Sequence, residues 1–219
     1  MNIQFRSAYL QSGLKCLLPM LGTAIALATV TAISPVQAAL SPAVSSPETP
    51  NLPATNPPDS LRNANDYFNT GNDHLQQGNY AAAVTDYTQA LQRNPNFVEA
   101  YTNRGTVRTI QGDYPGAIAD FDQAIRIDPN NSTAYANRGT TRTIQGNFPE
   151  AIADFTQAIR LNPSDPTPYY NRGVARALSG DKQSAIGDLQ QAISLYQKQG
   201  SLQASQEARN LLNQVQTLQ

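Results

Sequence analysis

Tryptophan is absent from the 219 residues, and histidine and cysteine occur once each, as His74 and Cys16. Sites that need several His or Cys ligands, such as structural zinc, are thereby excluded. A lone cysteine makes no disulfide within the chain, and any Ser-His-Asp triad would have to use His74. Charge is also scarce. Asp, Glu, Lys and Arg make up 14% of the chain, against about 25% in ordinary soluble domains. Fifteen basic and sixteen acidic residues leave a net charge of −1, which gives no electrostatic basis for wrapping nucleic acid. Gln, Asn, Thr and Ser fill the polar positions instead. No glycine-rich phosphate loop, metal-ligand spacing or nucleophile motif occurs. The expectation is therefore a non-enzymatic protein without cofactor or metal.

Long apolar runs are equally rare, and the one present lies near the start. Residues 1–16 carry Arg6 and Lys15 and no acid, Leu17 to Ile33 are mostly apolar, and Pro35 precedes a small-residue Val36-Gln37-Ala38. That order describes a secretory signal peptide spanning 1–38, cleaved after Ala38. The alternative is an uncleaved membrane anchor, since the run approaches the length of a bilayer span, although Thr23, Thr29 and Thr31 interrupt it. Cys16 precedes the apolar core, whereas a lipoprotein cysteine follows it. Cleavage leaves a mature chain without cysteine, with a net charge of about −3 and no membrane span. Both a periplasm and a thylakoid lumen accept such a signal. Residues 39–63 form a linker with Pro42, Pro47, Pro50, Pro53, Pro57 and Pro58. Proline at that density favours extended, polyproline-like chain.

From residue 64 the chain repeats. Tyr101–Asn130 and Tyr135–Ser164 differ at nine of thirty positions with an ungapped offset of 34. The same offset aligns Tyr67, Gly71, Gly78, Ala83 and Tyr87 upstream, and Tyr169, Gly173, Gly180, Ala185 and Leu189 downstream. Four units result: 64–97, 98–131, 132–165 and 166–199. A fixed period of this size predicts an all-α solenoid.

The columns predict two helices per unit. Gly-Asn or Gly-Asp follows the first helix, where glycine accepts a left-handed conformation. Pro115 and Pro149 open the second helix, where a missing N–H is harmless. Pro95, Pro129 and Pro163 close it. Gly71, Gly105, Gly139 and Gly173 sit inside the first helix at about 1 kcal/mol each in propensity, which implies close backbone approach. The columns Ala83/Ala117/Ala151/Ala185 and Ala90/Ala124/Ala158/Ala192 supply the facing small surface, beside Tyr87, Phe121, Phe155 and Leu189.

This pattern of Tyr, Gly, Ala, Phe or Tyr, Ala and Pro, in register over four units, resembles the tetratricopeptide repeat. The resemblance covers 64 to about 199. It implies a right-handed superhelix of antiparallel helix pairs with a concave groove that binds another protein or a peptide. Residues 200–219, with Leu202, Leu211, Leu212, Val215 and Leu218 on one helical face, fit a capping helix.

The chain departs from the family where leucine and an aromatic are usual in the first helix. There it carries Arg104, Arg138 and Arg172 and, four residues on, Arg108, Arg142 and Arg176; unit one has Thr70 and His74. A column of Asp86, Asp120, Asp154 and Asp188 runs along the second helices. Two readings stand. An internal ladder pairs arginine with aspartate, and one acid per unit favours it. An exposed basic stripe would instead take anionic ligands through bidentate contacts. His74 fits a packing or hydrogen-bonding substitute rather than a metal ligand.

The resemblance places the partner-binding groove on the first helices. Its expected lining is Asn69, Asn103, Asn137 and Asn171, with Thr102, Thr106, Thr109, Ala136, Thr140, Thr143 and Tyr170. In the family, an asparagine in that column can hydrogen-bond the backbone of an extended peptide; purely local hydrogen bonding is the equal alternative. The Lys/Arg clamp of chaperone-adaptor members finds only Asn65, Glu99, Thr133 and Thr167 here. The functional expectation is an interaction scaffold with backbone recognition, its alternative an anion binder through the arginine rows.

Overall fold

The computed structural model describes residues 62–217. The expected signal peptide 1–38 and all but the last two residues of the linker 39–63 lie outside them. The described residues form helices only. In chain order these are α1 (Ala64–Gln76), α2 (Tyr80–Arg93), α3 (Val98–Gln111), α4 (Tyr114–Ile127), α5 (Ser132–Gln145), α6 (Phe148–Leu161), α7 (Pro166–Ser179), α8 (Lys182–Lys198) and α9 (Leu202–Thr217). Odd-numbered α1 to α7 are the first helices of the four units, and even-numbered α2 to α8 the second.

Local chemistry sets the helix ends. Asn63 and Asp66 form a reciprocal capping box at the start of α1. Gly112 ends α3 at φ +83°, a left-handed geometry that disfavours residues with a Cβ. Pro115 and Pro149 sit in the first turns of α4 and α6. Asn94, Asp128 and Asn162, each just before a proline, leave the helical region and stop the second helices.

Each first helix packs on its own second helix, which packs in turn on the next first helix. Phe121 and Phe155 are fully buried, as are the alanine columns on α4 and α6. Gly105 makes room for this packing: a Cβ there would lie 2.8 Å from the Phe121 ring and 3.1 Å from the Ala117 carbonyl oxygen. At the far end α9 covers α8 and buries Ser205, Ala208, Leu211 and Val215. The first helices α3, α5 and α7 also touch one another, more closely than the second helices do. They therefore form the inner row of an all-α repeat solenoid. Among the described residues no helix is long and apolar enough to cross a membrane.

Candidate functional site

The arginine and aspartate columns meet between the two helices of each unit. Asp120 on α4 accepts from Arg104 Nε at 3.0 Å and Nη2 at 2.7 Å, and from Arg108 Nη1 at 2.7 Å. Asp154 does the same with Arg138 and Arg142, and Asp188 with Arg172 and Arg176. Each carboxylate is nearly fully buried, with 4–6% of its side chain exposed, and receives two charge-assisted donors from one side and a third from the other. Burial works against the Arg138 charge, but Asp154 and Asp122 outweigh it and hold this guanidinium above its ordinary pKa. In unit one His74 Nδ1 lies 2.6 Å from Asp86 Oδ2.

The remaining Nη1 of the first arginine in each rung crosses to the preceding unit. Arg104 donates to Thr88 and Arg172 to Thr156, both at 2.9 Å, and Arg138 donates to Asp122. The guanidinium edges that a bidentate anion would need from Arg104, Arg138 and Arg172 are thus engaged with protein oxygens. Arg108, Arg142 and Arg176 give their Nη1 to the same aspartates.

The asparagine column stitches the inner row together. Asn103 Nδ2 donates to Asn72 Oδ1 at 3.0 Å, Asn137 Nδ2 to Thr106 Oγ1 at 3.1 Å, and Asn171 Nδ2 to Thr140 Oγ1 at 3.4 Å. Asn72 Oδ1 also accepts from the hydroxyl of Tyr87. Burial, with a smaller contribution from nearby Asp86, outweighs the opposing Asn103 hydrogen bond and holds the Tyr87 phenol well above its usual range.

The expected groove lining needs correction. Thr102, Thr106, Thr109, Thr140 and Thr143 are buried, because their small side chains let neighbouring first helices close over them. Their hydroxyls bond the carbonyl four residues back in the same helix. Tyr170 and Asn171 are buried too, at the end of the array that α9 covers. Of the expected lining, Asn69 is exposed and Asn103, Ala136 and Asn137 are half-buried. Two features of this region went unread from the sequence. One is the cross-unit slot of Thr88, Asp122 and Thr156, whose residue type varies and so makes no visible column. The other is exposed Glu99, noted only as the absence of a basic clamp.

The tetratricopeptide repeat profile matches residues 68–132 and 121–153, and a TPR repeat profile matches 139–180. This chain belongs to the tetratricopeptide repeat family. No curated protein matches it significantly in sequence. Among solved structures it is similar to MamA (residues 41 to the end) from Desulfovibrio magneticus RS-1. The TM-score is 0.57 at 18% identity, over 70% of this chain and 94% of that one. The TPR domain of Arabidopsis OM64 is 29% identical, with a TM-score of 0.51 over 52% of this chain and 93% of that one. The first TPR of Spaghetti (RPAP3), bound to the HSP90 peptide SRMEEVD, is 24% identical with a TM-score of 0.50, over 54% and 91%. With MamA and RPAP3 the tetratricopeptide chain shares the fold.

Proposed function

We propose that this tetratricopeptide array is a non-enzymatic scaffold of an exported compartment, periplasm or thylakoid lumen, that holds an extended segment of another protein along its inner face. The observation that carries this reading is the continuous row of first helices, with accessible amides at Asn69, Asn103 and Asn137 repeated at one spacing. Backbone groups of an extended partner recur at short, regular intervals, and a polar row of fixed spacing suits them better than deep apolar pockets would. The signal-peptide pattern of residues 1–38 supports export.

Site-specific photocrosslinking in the native compartment tests both parts. A crosslinker at Asn103 or Asn137 should capture partner protein, whereas one at Ala119, exposed on α4, should not. Capture from Ala119 alone would overturn the inner-face assignment. Intact mass should show a mature chain beginning at Ala39; a full-length mass would favour the membrane-anchored form.

A further inference from the structure

The inner face has an unusual balance of donors and acceptors. Its threonines turn their hydroxyl hydrogens to their own helix: Thr102, Thr106, Thr109, Thr140, Thr141 and Thr143 each donate to the carbonyl four residues back. The asparagine amides point their N–H groups back to the preceding unit. What these side chains leave over is oxygen. No protein group donates to Oδ1 of half-buried Asn103 or Asn137 among the described residues, whereas Asn171 Oδ1 is buried out of a partner's reach.

Charge runs the same way. Every arginine of α1, α3, α5 and α7 belongs to the ladder and faces an aspartate of a second helix. These four helices contain no lysine, and no arginine is left for the inner face. Exposed Glu99 remains there.

We infer that the inner face selects an extended basic segment, whose backbone N–H groups meet the oxygens of Asn103 and Asn137 and whose lysine or arginine side chains meet Glu99. This rests on the inner-face scaffold reading and specifies the partner's chemistry. An acidic segment would bring oxygen to oxygen and would meet no free cation on these helices. The preference is the reverse of a carboxylate clamp.

Fluorescence anisotropy with the full chain tests it, using three labelled peptides of one length on an alanine-glycine backbone that carry lysine, glutamine or glutamate. The lysine peptide should bind about tenfold more tightly than the glutamate peptide, and the gap should narrow as salt screens the charges. Glu99→Gln should bring the lysine peptide down to the affinity of the glutamine peptide, which should itself stay unchanged. Equal affinity for all three, or preference for glutamate, overturns the inference while leaving the scaffold reading intact. Binding of none of them, with no crosslink from Asn137, sinks both.

Discussion

Arg138 reaches across the boundary between two units: its Nη1 donates to Asp122 on α4 while Nε and Nη2 hold Asp154 on α6. One guanidinium therefore closes its own helix pair and ties it to the pair before. Asp154 keeps 4% of its side chain exposed and Arg138 15%, so the pair sits largely out of water.

Removing Arg138 should leave the buried Asp154 with Arg142 alone. Arg138→Ala is expected to destabilise by about 3 kcal/mol, the lower end for breaking a buried pair. Denaturant unfolding of Arg138→Ala, Asp154→Asn and the double variant should give a coupling above about 1 kcal/mol. Additive losses would mean that the ion pair contributes nothing of its own.

Glycine substitutions should separate two kinds of strain. Gly105→Ala drives a methyl group into the Phe121 ring and towards the Ala117 carbonyl, and should lose about 1–3 kcal/mol through overpacking. Gly112→Ala meets open space and should lose about 1–2 kcal/mol from its left-handed backbone alone. Phe121→Leu should soften the first loss and leave the second untouched. Urea midpoints of the three single variants and of the two glycine variants combined with Phe121→Leu decide it, and equal rescue of both would refute the packing account.

Alkaline stability should report on Tyr196. Burial, partly countered by the Thr167 hydrogen bond and reinforced by Asp165 and Glu207, raises its phenol from the ordinary 10.0 to about 12. The folded state thus keeps this proton more firmly than the unfolded state does. Its stabilising contribution is complete below pH 10 and is lost as pH rises towards 12. Thermal unfolding across that window should fall more steeply for the unsubstituted protein than for Tyr196→Phe, and identical slopes would contradict the assignment.

Much of this architecture was legible in the residue order because the stacking is periodic. One aspartate per unit against two arginines pointed to mutual pairing, although not to which aspartate. The columns leave open which aspartate Arg138 takes, and only the helix pairing selects Asp154 in its own unit. The slot occupied by Thr88, Asp122 and Thr156 was illegible, since two residue types serve one guanidinium there. The inner threonines misled for a physical reason. A hydroxyl reads as groove lining in a sequence, yet a side chain this short lets the next helix approach and bury it. Asn171 was misread with them, because α9 closes that end of the row and no repeat column announces it.

The arginine and asparagine bonds between units join residues at fixed spacings, 16 and 31 residues apart, and that has a consequence for how such a chain changes length. Excising 98–131 would bring Arg138 to the place of Arg104, opposite Thr88, and Asn137 to the place of Asn103, opposite Asn72. The new junction would reuse bonds the protein already makes, so a chain of three units should still melt cooperatively by circular dichroism, whereas a deletion a few residues longer or shorter should not. Duplication or loss of one 34-residue segment in the gene would then need no compensating substitutions. The boundary between units is the place where recombination does the least harm.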